Sequence, residues 1–329
     1  MVEPAVKLCS LRKVFGDGQH NAFTDMCQFG GVFYLAFRNC PDGHAVHDSS
    51  TIRVMSSADG RDWHDAFNFS VDDRDTRDPH FLVFGDTLFV YTGTWLCPGG
   101  TAVYDINQHL GYCAWTQDGI SWEGPRMLEG TYGHYIWRAA AWSGKAYLCG
   151  RRKSEFQHGI AHGEGGSVTQ AVLLESDDGF VWRFRSVFRE AYGDETAFAF
   201  GPDGGLVGLA RTLTGKNACV CRAEAPFEEW TSAELDRYVG GPMLVRWQGN
   251  WLAGGRKTLG GAPVTTLYWL RDNQLSEIME LPSGGDNSYT GFVELRPGRA
   301  LISYYSSHEA EKPNEASIYL AELELPPCP

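Results

Sequence analysis

Ser57-Ala58-Asp59-Gly60-Arg61-Asp62-Trp63, Thr116-Gln117-Asp118-Gly119-Ile120-Ser121-Trp122 and Ser176-Asp177-Asp178-Gly179-Phe180-Val181-Trp182 are three copies of one phrase, Ser/Thr-x-Asp-Gly-x-x-Trp. Their aspartates recur at a period of about sixty residues, and self-similarity at such a period marks a repeat architecture. Each copy stands between two short apolar runs, as Thr51 to Ser57 and His64 to Phe69 do, so it reads as a hairpin turn. An Asp side chain accepts hydrogen bonds from the turn's own amides, Gly supplies a positive φ, and Trp covers the apolar edge between neighbouring sheets. These aspartates are therefore read as turn residues rather than catalysts.

A second hairpin occurs six times, with turns at Phe29-Gly30-Gly31-Val32, Phe84-Gly85-Asp86-Thr87, Trp142-Ser143-Gly144-Lys145, Pro202-Asp203-Gly204-Gly205, Trp247-Gln248-Gly249-Asn250 and Arg296-Pro297-Gly298-Arg299. A third apolar run follows every copy and a fourth follows five, while Val6 to Phe15 precedes the first copy without a hairpin partner. The expected fold is all-β: a six-bladed β-propeller over residues 1–329 as one domain, closed by the N-terminal strand entering the last blade. The Gly/His-rich stretch Gln157 to Gly166 is read as a long loop between strands, not as a linker.

Composition narrows the function classes. The 329 residues are 43% hydrophobic and 13% aromatic, which excludes disorder. With 41 acidic against 28 basic residues the net charge of −13 opposes a phosphate backbone, so no nucleic-acid partner is expected. Apolar runs fall far short of the roughly 18 residues that cross a bilayer, so no membrane partner is expected either. Met1-Val2-Glu3-Pro4 lacks the basic and apolar regions of an export signal, giving a cytoplasmic expectation, or a secreted or periplasmic one if a signal has been trimmed. Nine irregularly spaced cysteines without a C-x-x-C pair suggest neither a disulfide framework nor zinc, and no cofactor or metal is expected.

In a propeller the starts of the first strands and the ends of the second strands share one rim of the central channel. That rim gathers Asp25, Arg77, Asp78, His80, Trp137, Arg138, Glu195, Asp286 and Tyr289 from first strands, and Arg38, Arg151, Arg211, Arg256 and Tyr305 with His308 from second strands; His44 lies nearby. Guanidinium groups match carboxylate or phosphate with a planar fork of donors, so the cluster reads as an anion-binding funnel, against the alternative that each Arg pairs with a rim carboxylate. Carboxylates around such a funnel suit glycoside hydrolysis, and a Tyr can replace the carboxylate nucleophile when the substrate itself is anionic. Glu195 and Tyr289 are the candidate pair. Trp95, Trp137 and Tyr304-Tyr305 are candidates for a sugar-stacking wall or for inter-blade packing.

The Asp-Gly-Trp turns, the six hairpins and Glu195 followed one hairpin later by Arg211 resemble the sialidase-like, BNR/Asp-box propellers over essentially the whole chain. Asn21-Ala22-Phe23-Thr24-Asp25, Arg77-Asp78-Pro79, Asp194-Glu195-Thr196-Ala197 and Gly285-Asp286-Asn287-Ser288-Tyr289 look like a bacterial group of exo-sialidase and BNR-repeat glycosyl hydrolase sequences. The resemblance implies a Tyr289/Glu195 nucleophile system, Arg211 as the middle of three carboxylate-binding arginines, and Arg256 as the third. The first arginine is missing where Asn21 to Asp25 stands, with Arg38 or Arg77 as substitutes. The acid/base is Asp78, or a loop aspartate, Asp42 or Asp48. A glycosidase acting at the end of an acidic oligosaccharide or polysaccharide is thus expected. A uronate lyase using Tyr289, His80 or His308 as base and a noncatalytic glycan-binding propeller are the alternatives.

Overall fold

The computed structural model describes residues 5–158, 165–212, 217–258 and 262–326. Most of the loop expected over Gln157 to Gly166, residues 159–164, lies outside these. Six innermost strands, β2 (His20–Phe29), β6 (Arg74–Phe84), β10 (Tyr135–Trp142), β14 (Gly193–Phe200), β18 (Gly240–Trp247) and β22 (Asn287–Arg296), each begin a four-stranded sheet. Beside them lie β3 (Val32–Cys40), β7 (Thr87–Leu96), β11 (Lys145–Lys153), β15 (Leu206–Thr212), β19 (Asn250–Arg256) and β23 (Arg299–Ser306). The third row is β4 (Thr51–Ser57), β8 (Leu110–Thr116), β12 (Thr169–Ser176), β16 (Cys219–Ala223), β20 (Thr265–Arg271) and β24 (Ser317–Glu324). The outermost are β5 (His64–Phe69), β9 (Glu123–Met127), β13 (Arg183–Arg189), β17 (Thr231–Glu234), β21 (Gln274–Glu280) and, in the last sheet, β1 (Lys7–Phe15).

Innermost strands touch in cyclic order, β2 to β6 to β10 to β14 to β18 to β22 and back to β2, so the chain is a six-bladed β-propeller. Closure works as the sequence predicts: β1 pairs antiparallel with β24, Leu11 opposite Ala321. Because both faces of a blade are covered by its neighbours, a middle strand such as Thr87-Leu88-Phe89-Val90-Tyr91 is buried on both sides, whereas the outermost Glu123–Met127 is exposed throughout.

The three Asp-Gly turns lock neighbouring blades. Asp118 Oδ1 accepts from the amides of Ile120 (2.8 Å) and Ser121 (2.7 Å) and from the Thr116 hydroxyl (3.1 Å). Asp59 and Asp178 do the same in their own turns. The carbonyl of each turn glycine is taken from the blade before: Gly119 by Tyr34 (3.2 Å), Gly179 by Tyr91 (2.9 Å) and Gly60 by Arg12. Trp122 stacks on Phe67 and Trp182 meets Tyr91 edge-on across the same seams. Gly is required here, since Gly119 has φ +74° and a Cβ on it would lie 2.2 Å from the Tyr34 hydroxyl.

Sequence patterning does not reveal the feature that shapes the channel. Every innermost strand carries a bulge in which two residues oppose one: Phe23-Thr24, Asp78-Pro79, Trp137-Arg138, Asp194-Glu195, Gly241-Pro242 and Tyr289-Thr290. Phe23 (φ 61°), Asp78 (φ 52°) and Tyr289 (φ 52°) adopt left-handed backbone there, an uncommon state for bulky residues that redirects their side chains.

Candidate active site

The bulges and the ends of the second strands enclose a cavity of about 270 Å³ lined by Phe23, His44, Arg77, Asp78, Trp95, Tyr135, Arg151, Asp194, Glu195, Arg211, Arg256 and Tyr289. At its centre the Tyr289 hydroxyl donates to Glu195 Oε1 at 2.6 Å, and Arg211 Nη1 donates to Glu195 Oε2 at 2.8 Å. Burial alone would raise the Glu195 pKa, but the Arg211 and Arg151 charges and the Tyr289 hydroxyl outweigh it and hold the carboxylate below its ordinary value. Tyr289 moves the other way, pushed well above a normal phenol by burial and by the Glu195 charge. The resting pair is a neutral phenol against an anionic carboxylate.

Arginines line the cavity, but as members of ion pairs rather than as an uncompensated cationic funnel. Asp194, which is buried, joins Arg151 and Arg211, and Asp286 holds Arg256 at 3.2 Å. The reason is physical: a guanidinium taken out of water needs a partner. Donors remain nonetheless. Among the described residues no protein acceptor meets Nη2 of Arg151 or Arg211, or Nη1 of Arg256.

Other candidates are distributed by the fold. Arg38 is fully buried and does not line the cavity. Its Nε binds Asp75 at 2.9 Å and its two Nη groups donate to the carbonyls of Gly43 and Ala45, both at 2.9 Å. Arg138 and Asp25 form a 2.8 Å pair against His80, away from the cavity lining, and Trp137 packs edge-on to His80 and Tyr289. His80 is pushed down to about 4 by burial and by Arg138. Asp42 accepts from Ser49 and Asp48 from the Gly100 amide; neither lines the cavity. His308 binds Ser306 and packs on Tyr319, and Tyr304 stacks on Tyr319, both outside the cavity. Asp78 does line it: Tyr135 donates to its Oδ2, and burial, with Glu195 nearby, pushes its pKa up against the pull of Arg77.

Tyr135 and Asp194 stand at first-strand starts, where the repeat places them on the rim, and the structure adds their roles as partners of Asp78 and of Arg151 and Arg211. Two further residues of this network are not reached from sequence. Asp75 and His20 carry no sequence signal; both are buried and act only through partners. His20 Nε2 and His44 Nδ1 meet Asp286 Oδ2 at 2.9 and 2.6 Å, and each of the three side chains offers an atom within 4.8 Å of the other two. They form a hydrogen-bond network rather than a ligand set, because His20 Nδ1 faces the Arg38 guanidinium at 3.5 Å. Arg can only donate, so the proton of His20 is assigned to Nε2, where Asp286 receives it.

No family model matches the chain, and no curated protein matches it in sequence. Solved structures do. A Dyadobacter fermentans protein of unknown function aligns with TM-score 0.81 and 20% identity over 98% of this chain and 100% of its own. The Trypanosoma rangeli sialidase in complex with sialic acid aligns at TM-score 0.68 and 14% identity, covering 98% of this chain and 59% of its own. A K499G mutant of the NanB sialidase from Streptococcus pneumoniae gives 0.67 and 12%, covering 94% and 70%. The fold is thus a sialidase-like propeller, and this chain spans about three-fifths of the trypanosomal protein.

Proposed function

We propose that this protein is a glycoside hydrolase of the sialidase-like type, acting on the end of an acidic oligosaccharide with Tyr289 as nucleophile and Glu195 as its base. The observation that carries the reading is the 2.6 Å hydrogen bond from the Tyr289 hydroxyl to Glu195, both placed by strand bulges in one cavity. A neutral phenol does not repel an anionic sugar as a carboxylate nucleophile would. Because Glu195 is a weak base and Tyr289 a weak acid, the proton moves only as the phenolic oxygen bonds to the anomeric carbon. The unpartnered Nη groups of Arg151, Arg211 and Arg256 are suited to receive the sugar's acidic group. A lyase is less well served, since a neutral phenol is a poor base and His80 and His308 lie off the cavity.

The test is incubation with sialylated, ketodeoxy-acid-terminated and uronate-terminated oligosaccharides, with products resolved by mass. A product pair heavier by one water is expected. Unsaturated product would show a lyase, and binding without product a noncatalytic propeller.

A further inference from the structure

We infer that His44, rather than an aspartate, is the proton donor and acceptor of this site, poised by Asp286; the inference rests on the glycosidase reading above. His44 lies between β3 and β4, lines the cavity, and its side chain is 52% exposed. Nδ1 meets Asp286 at 2.6 Å, and Nε2 has no partner among the described residues. The rings of His44 and Tyr289 both pack on Phe23, with centroids 5.6 and 4.8 Å from it, so the imidazole and the nucleophile share one wall.

Such a loop would not by itself position a catalyst, yet three successive carbonyls here are clamped. Arg38 donates to those of Gly43 and Ala45, and Arg77 Nη2 donates to that of His44 at 2.8 Å. One buried carboxylate, Asp75, holds both arginines, at 2.9 Å from Arg38 and 3.2 Å from Arg77. Gly43, at φ +106°, lies so close to Asn314 that an added Cβ would be 3.0 Å away. This preorganisation is what a proton-transfer group needs.

The charged and titratable groups facing the imidazole are Asp286 and His20, with Arg256 and Tyr305 behind Asp286 and Arg77 on the His44 carbonyl. Burial would raise the Asp286 pKa, but its bonds from His20 and His44 and the His44 and Arg256 charges hold it well below the carboxylate range. It is an anion that can stabilise an imidazolium, as the acidic member of a hydrolase triad does. Asp78 is less suited: Tyr135 donates to its Oδ2, and its other oxygen, Oδ1, is buried rather than presented to a substrate.

In the first step the Nε2 proton of the His44 imidazolium passes to the leaving oxygen as the glycosidic bond breaks. Tyr289 Oη bonds to the anomeric carbon, and its proton passes to Glu195. In the second, neutral His44 removes a proton from water, the hydroxide oxygen bonds to the anomeric carbon, and Tyr289 leaves and regains its proton from Glu195. One water is consumed and every group returns to its starting state.

The test compares the wild type with His44→Asn on two glycosides of the sugar the wild type turns over: the 4-methylumbelliferyl glycoside, whose leaving group needs no acid, and the methyl glycoside, whose leaving group does. Loss of about 10²–10⁴-fold is expected on the methyl glycoside. On the aryl glycoside a burst of 4-methylumbelliferone should precede a slow steady state, which azide, needing no general base, restores as glycosyl azide. Asp286→Asn should move the alkaline limb of kcat/KM to lower pH while keeping the burst. Equal loss on both glycosides with no azide rescue overturns the assignment to His44 and leaves the hydrolase reading standing. A wild type inert on every glycoside overturns that reading and this one together.

Discussion

Asp118 and Asp286 are both carboxylates held well below their ordinary pKa, and they belong to different regions with different grammars. In the turn, Asp118 is held by the amides of Ile120 and Ser121, two and three residues away. In the cavity, Asp286 is held by His20, His44, Arg256 and Tyr305, drawn from the first, fifth and last blades. Turn carboxylates spend their charge on the backbone that carries them. Cavity carboxylates spend theirs on side chains from elsewhere, which leaves those side chains poised for a ligand. A locally satisfied charge builds structure, and one satisfied at long range can build a site.

The widest separation expected between the two regions is in turnover. Glu195→Gln should lower hydrolysis by about 10²–10⁴-fold in a chain that stays folded at the assay temperature, while Asp178→Ala should leave turnover intact and lower the melting temperature. Steady-state kinetics beside calorimetry reads both, and an equal loss of activity in the two variants would break the comparison. Acid should separate them next. His80 and His134 are each pushed down to about 4, chiefly by burial, so between their unfolded value of 6.5 and pH 4 the unfolded chain binds the extra proton. Stability is therefore present above pH 6.5 and falls towards pH 4, by about 3 kcal/mol per histidine. The turn carboxylates keep their charge through that window. Urea titrations across it measure the loss, and a flat profile would contradict the burial of these histidines.

Two smaller effects probe the blade seams. Gly179→Ala introduces a Cβ at φ +81°, 2.8 Å from the Phe89 ring, and should cost about 2 kcal/mol in chemical denaturation. Tyr91→Phe removes only the 2.9 Å bond to the Gly179 carbonyl, for about 1 kcal/mol. Both variants should hydrolyse substrate at the wild-type rate. A drop in turnover larger than the drop in stability would show that the seams reach the cavity.

Much of this was legible in the chain. The Asp-Gly-Trp phrases and the six Gly turns locate hairpins because their hydrogen bonds close within a few residues, and the spare strand at the N-terminus requires closure in the last blade. Glu195, Tyr289, Arg211 and Arg256 could be assigned to one rim because repeat position converts to height along the channel. Patterning could not show that Arg38 faces away from the cavity and clamps the chain around His44, while Arg77 lines the cavity and also clamps that chain. Nor could it separate Asp42 and Asp48, which satisfy nearby loops, from His44 on the same connection.

By itself, then, the sequence determined the number of blades, their strand order and the turns between them, since those follow from short-range hydrogen bonding in the turns and from short apolar runs recurring between them. Tertiary structure alone decided which charges meet. The bulges that redirect Phe23, Asp78 and Tyr289 come from the pairing of first and second strands within a blade, and the carboxylates Asp75 and Asp194 are shared between arginines of neighbouring blades once the blades pack together. Hydrogen-bond partners separated by 266 residues in the chain then come within 2.9 Å, as His20 and Asp286 do, and no local pattern encodes that approach.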